Sequence, residues 1–207
     1  EEAHRKGYKV WPLINNSFDK DLTRQLLQSE DAQERIIRQL LVYSSLYRLD
    51  GINLDFENIY REDKDKLTRF VSRIAAALHE QGVVVSLDVT VPQGSDTWSQ
   101  CYDRKSLAAA VDYVMVMTYD ETWRSSLRSG SVASLNWVER GLRDTLAEVP
   151  AEKLLLGLPF YMREWEEPAD GQGPAKATTL SMPDAERKIK EKNLTLQWLE
   201  DKGQYYT

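Results

Sequence analysis

One cysteine, two histidines and no basic run among 207 residues exclude more than the rest of the composition does. Cys101 has no second cysteine to pair with, and two histidines cannot complete a zinc set, so no metal and no other cofactor is expected. With no histidine partner evident beside it, Cys101 reads as a small buried residue rather than a nucleophile. No apolar run approaches the roughly 20 residues that span a bilayer. A net charge of −6, without a basic amphipathic stretch, argues against nucleic acid or a membrane surface as partner. No leader precedes Glu1, and the opening Glu1-Glu2-Ala3-His4 reads as the end of a helix, as if the chain were cut from something longer. Internal repeats and low-complexity segments are also missing.

What is present is alternation. A hydrophobic fraction of 42% is enough for a substantial core. Strands are expected at 8–14, 50–57, 83–91, 113–119 and 153–161, with a short last one at 194–199. Helices are expected at 19–27, 31–47, 62–79, 106–110, 135–147 and 183–191. The 62–79 segment places Leu67, Phe70, Val71, Ile74 and Leu78 on one face, and Gly82 stops it. Residues 166–178, with their Pro, Gly and Ala, read as a loop. Strand–helix alternation implies parallel βαβ units. Polar residues recur at strand C-terminal ends (Asn15-Asn16, Glu57, Asp120, Tyr161), where a (β/α)₈ barrel builds its site. A doubly wound sheet also binds ligands there, but no Gly-rich phosphate loop follows any strand. The expected fold is therefore a partial α/β (β/α)₈ TIM barrel over residues 1–165, with 166–207 beginning an α+β region.

The segment Asp50-Gly51-Ile52-Asn53-Leu54-Asp55-Phe56-Glu57 is the most informative. Strand side chains alternate between faces, so Asn53, Asp55 and Glu57 share one face and Ile52, Leu54 and Phe56 the other. An amphipathic strand with one face in water gives the same alternation. Successive carboxylates about 7 Å apart are costly to bury unless chemistry uses them.

This segment resembles the Asp-x-x-Asp-x-Asp-x-Glu signature on the fourth barrel strand of the family 18 glycoside hydrolases, the chitinases and their relatives. Met117-Thr118-Tyr119-Asp120 is similar to their sixth-strand motif, and Gly157-Leu158-Pro159-Phe160-Tyr161-Met162-Arg163 to the seventh. The resemblance covers strands three to seven and the start of the insertion that follows. Leu13-Ile14-Asn15-Asn16, Asn53 and Tyr119-Asp120-Glu121-Thr122-Trp123 look most like the bacterial branch acting on spore cortex and other peptidoglycan. Asn53 stands where most chitinases have aspartate, and Met162 where the family has glycine. The eighth-strand tryptophan has no counterpart.

The resemblance implies retaining, substrate-assisted cleavage of β-1,4 linkages in a polysaccharide containing N-acetylglucosamine, peptidoglycan ahead of chitin. Glu57 would be the general acid, a role its place at the strand end also suits. Asp55 would orient the acetamido nitrogen, the Tyr119 hydroxyl would bond the acetamido oxygen, and Asn53 would support Asp55 from below. Asp120, Met117, Tyr161, Arg163, Trp123 and Asn15 are the candidate substrate contacts. Met117 reads equally as core filler and Trp123 equally as a residue packed under a loop, while Asp120 reads as a substrate contact ahead of a helix cap. Asp50, of opposite parity to Glu57, suits a structural role beside Gly51, and Asp88 is a polar residue inside a strand that could support the site. The resemblance also implies an extracellular, cell-wall or spore-associated setting. A sugar-binding protein without catalysis is the alternative, but lectin-like members commonly lose the acid that Glu57 supplies. Unpaired barrel edges would leave the isolated segment inactive, or drive self-association.

Overall fold

The computed structural model describes residues 1–169 and 174–207. In chain order the elements begin α1 (Glu2–Arg5), β1 (Leu13–Asn15), α2 (Lys20–Gln28), α3 (Glu30–Tyr47), β2 (Gly51–Asp55) and α4 (Lys64–His79). They continue β3 (Val84–Thr90), α5 (Arg104–Ala110), β4 (Tyr113–Met117), α6 (Leu135–Leu146) and β5 (Leu154–Gly157). The last are β6 (Tyr161–Glu166), β7 (Lys176–Ser181), α7 (Met182–Glu191), β8 (Gln197–Leu199) and β9 (Gln204–Tyr206).

Strands β1 to β5 form one sheet in sequence order, and the pairs β1–β2, β2–β3 and β3–β4 are parallel. In-order parallel strands joined by helices are the pattern of a (β/α)₈ barrel, here with five of its strands. By its internal contacts the chain divides into two compact units, 1–117 with 144–155, and 118–143 with 156–207.

In the first unit the outward residues Ile52, Leu54, Val85, Leu87, Val89, Val114 and Val116 are fully buried. So are Leu67, Phe70, Val71, Ile74 and Leu78, the α4 face read from the sequence. Each such side chain contributes about 1.5–3 kcal/mol by leaving water. Helix starts follow from capping. Asp19 accepts hydrogen bonds from the backbone of Asp21 and Leu22, Ser29 from Ala32, and Asp103 from Ser106. The Asp103 cap explains why α5 begins two residues before the expected start at 106.

The first strand is shorter than expected and lies later, at Leu13–Asn15. Pro12 has no N–H, so the preceding stretch follows β2 through its carbonyls only. Val10 accepts from Asp50 N–H and Pro12 from Asn53 N–H, both at 2.9 Å. Asp50 has the structural role. Its carboxylate takes the Val10 N–H (2.7 Å) and the His4 ring (2.8 Å), and these bonds hold it down at about 2. Beside it, Gly51 has the Trp11 ring over its Cα, where a Cβ would stand 2.5 Å from ring carbon.

In the second unit, β6 and β7 pair antiparallel from Tyr161↔Ser181 to Glu166↔Lys176. This trims the loop expected at 166–178 at both ends, since Glu166 and residues 176–178 are in the ladder. Thr178 and Thr179 carry the ladder, and residues 170–173 of the expected loop lie outside the described ones. The hairpin spans the expected boundary at 165 and 166. The strand expected at 153–161 is split, because Pro159 cannot continue a ladder between β5 and β6. Met162 sits in regular pairing with Leu180. The short strand expected at 194–199 pairs with an unforeseen β9, through a turn in which Gly203 takes φ 60°.

Candidate active site

Register sets the inward layers of the first unit. Leu13, Asn53, Ser86 and Tyr113 stand side by side across β1 to β4. In the layer above, Asn15 pairs with Asp55 and Asp88 with Met115, and Thr90 beside Met117 comes next. Asn53, Ser86 and Asp88 are 9%, 3% and 5% exposed, so this polar column does not face water.

The column is internally bonded. Ser86 Oγ donates to Asn53 Oδ1 (2.5 Å), and Asn53 Nδ2 donates to Asp88 Oδ2 (2.8 Å). The asparagine amide, expected to hold Asp55 from below, is tied to the next strand. Among the described residues, Asp55 Oδ1 and Asp88 Oδ1 are buried without a hydrogen-bond partner. Burial raises the Asp55 carboxyl above its ordinary range. Burial pushes Asp88 up to about 6, against the Asn53 hydrogen bond and with the help of Asp55's charge.

Glu57 lies two residues past the end of β2, half-buried, and its backbone is held from β1's exit. Asn16 Nδ2 donates to Glu57 C=O (2.8 Å), and Asn16 Oδ1 accepts from Glu57 N–H (3.1 Å). Asn16 Nδ2 also reaches Thr23 Oγ1 (2.8 Å). The neighbouring Phe56 carbonyl accepts from Tyr102 Oη (2.8 Å), a fully buried ring. Asn15, its side chain turned to Ser17 N–H (3.0 Å), is exposed.

Backbone strain marks several strand exits. Ser17 (φ 52°), Phe18 (φ 59°) and Asn58 (φ 52°) take left-handed conformations at the ends of β1 and β2, and Asp120 (φ 60°) does so past β4. Phe18 and Trp98 are 55% and 40% exposed with centroids 5.8 Å apart. The sequence does not mark either as a site residue, because single aromatics in loops carry no periodic signal. Asn16 was noticed only as half of a polar pair.

The second unit gathers the other candidates. Asp120 Oδ1 accepts from Tyr161 Oη (2.5 Å) and from the Arg163 guanidinium, which also reaches Thr179 Oγ1 (2.9 Å). Burial, then the Asp120 hydrogen bond, raises the Tyr161 phenol. The Tyr119 ring meets Tyr161 edge-on, centroids 6.3 Å apart. Glu121 Oε2 caps the turn into α6 by accepting from Ser134 N–H (2.7 Å). Trp123 is 57% exposed. Met117, on β4 in the first unit, is buried. Cys101 is buried, and burial pushes its thiol up to about 11, so it is no thiolate at neutral pH.

An acidic column ending in a strand-tip glutamate, on barrel strands, is the arrangement of a carboxylate glycosidase. The model for Glycosyl hydrolases family 18 matches residues 1–207, and the chain belongs to that family. It is 31% identical over 175 residues to the uncharacterized glycosylase YvbX of Bacillus subtilis, covering 79% of this chain and 50% of that protein. With the cortical fragment-lytic enzyme of Bacillus anthracis it shares 28% identity over 170 residues, covering 80% and 39%. The crystal structure of a chitinase from Chromobacterium violaceum superposes with TM-score 0.86 at 23% identity, over 97% of this chain and 63% of that one, a likeness of fold. The chain thus spans about half or less of the length of these curated relatives.

Proposed function

We propose that the protein of which this chain is part cleaves β-1,4 linkages of N-acetylglucosamine-containing glycans with retention, and that its substrate is peptidoglycan rather than chitin. The observation that carries the reading is the polar column of buried Asn53 and Asp88 with half-buried Asp55, leading to Glu57, whose backbone Asn16 holds. A half-buried Asp55 whose carboxyl is raised by that burial suits a group that must receive an acetamido N–H rather than attack carbon. In this reading the substrate's own N-acetyl oxygen is the nucleophile, Glu57 protonates the leaving oxygen, and Tyr119 donates to the acetamido oxygen. Asp120, Tyr161 and Arg163, already bonded to one another, form a polar wall for sugar hydroxyls, and Trp123 a stacking face.

Similarity to a cortical fragment-lytic enzyme supports peptidoglycan and, with it, a cell-wall or spore setting. No described helix is long and apolar enough to cross a membrane. The test is Glu57→Gln in the intact parent. Loss of turnover by about 10²–10⁴-fold with glycan binding retained is expected, since the amide keeps the shape and removes the transferable proton. Activity within a few-fold of the parent would remove Glu57 from the mechanism.

A further inference from the structure

Strands β2 and β3 register Asn53 with Ser86 and Leu54 with Leu87. One step further on each strand stand Asp55 and Asp88, on neighbouring strands about 4.8 Å apart by ordinary sheet spacing. Each carboxylate has one buried oxygen without a donor, while Asp88's other oxygen takes the amide of Asn53. Two such buried oxygens on neighbouring strands cannot both remain charged and unpaired at low cost, and a proton held between the carboxyls removes the conflict. From β4 the register partner of Asp88 is Met115, which brings no charge, so the charged group facing Asp88 is Asp55 from β2.

We infer that Asn53 and Asp88 form one positioning unit for Asp55, in which the carboxyl that holds the shared proton stands on β3 at position 88 and the neutral amide on β2 at position 53. The inference rests on the glycosidase reading above, because it assigns Asp55 its task. Asn and Asp have nearly the same shape, so the unit is chemically transposable. With Asn53→Asp and Asp88→Asn together, the bond between the positions survives with its direction reversed. Ser86 still finds an acceptor at position 53. The column keeps two carboxyls and one amide.

Each single change breaks that balance. Asn53→Asp puts three carboxyls into two adjoining layers. Asp88→Asn leaves Asp55 with no partner to share a proton. Both act on Asp55's protonation rather than on substrate contacts, so they should lower kcat with little effect on KM and shift the acidic limb of the pH–rate profile.

The experiment is the four-member cycle in the full-length parent: parent, Asn53→Asp, Asp88→Asn and the double variant. Peptidoglycan fragments and N-acetylglucosamine oligomers are the substrates, and pH-dependent melting is measured alongside. Each single variant should lose at least about tenfold in kcat, and the double variant should recover most of that loss and the parental pH profile. Additive losses in the double variant, or an Asp88→Asn profile identical to the parent's, would overturn the inference.

Melting keeps the two readings apart. A parent with no glycosidase activity would sink the proposed function and leave this comparison intact. The fall in melting temperature as pH rises through about 6 should vanish in Asp88→Asn and return in the double variant. Its persistence in Asp88→Asn would count against the shared proton by itself.

Discussion

Asn16 holds the backbone of Glu57 on both sides, donating to its carbonyl at 2.8 Å and accepting from its N–H at 3.1 Å. A side-chain amide carries a donor and an acceptor side by side, like the pair a neighbouring strand would offer. The sheet ladder from β1 ends at Asn15↔Asp55, and Asn16 carries the tie past that point to the residue proposed as general acid.

Replacing that amide should therefore misplace Glu57 without touching substrate. Asn16→Ala and Asn16→Leu in the parent should each lower kcat by up to about 10²-fold, the cost of a displacement near 1 Å at a reacting group. Binding of a glycan to the same variant should change little. A KM effect without a kcat effect would instead make Asn16 a substrate contact.

Asp88 sets a measurable pH dependence of stability. Its folded value is raised from 3.8 to about 6, so the folded state favours the protonated form. Stability from this group is complete below the unfolded value and is lost as pH rises through about 6. The difference of about two units corresponds to about 3 kcal/mol between pH 3 and pH 7. Subtracting the denaturation curves of Asp88→Asn from those of the parent should isolate this slope. A flat difference would contradict the burial argument.

Tyr119 is proposed to bond the acetamido oxygen as that oxygen attacks, so its hydroxyl should matter more in the transition state than in the ground state. Tyr119→Phe should lower kcat more than it raises KM. Its ring packs edge-on against Tyr161, and phenylalanine preserves that contact. A change confined to KM would demote the hydroxyl to ground-state binding.

Gly51 tests the packing that starts the acidic strand. Gly51→Ala would drive a methyl to 2.5 Å from the Trp11 ring, and should destabilise by about 1–3 kcal/mol through overpacking. Pairing with Trp11→Leu should restore part of the loss. An unchanged melting temperature for Gly51→Ala would show that the indole moves aside freely.

Regular periodicity made much of this legible from sequence. Strand parity alone separated Ile52, Leu54 and Phe56 from Asn53 and Asp55, and the 3.6-residue period picked out the buried face of α4. Bonds between distant segments were not legible. Neither the clamp from Asn16 nor the bond from Asn53 to Asp88 leaves a local signal, since each depends on which strands become neighbours and in what register. The same limit applied to β7, whose pairing with β6 is fixed by a partner, while its flanking Pro and Gly residues advertise a turn. Asp88 was noticed as a polar interruption in an apolar strand, and only burial beside Asp55 gives it a task.

The most direct test of the central claim is the anomeric configuration of the first product. The intact parent should be mixed with peptidoglycan fragments and followed by proton NMR in the first minutes, before the released sugar mutarotates. Substrate-assisted cleavage through Glu57 and Asp55 predicts that the β-anomer appears first. First appearance of the α-anomer would mean that a water displaces the leaving group directly, and would contradict the account.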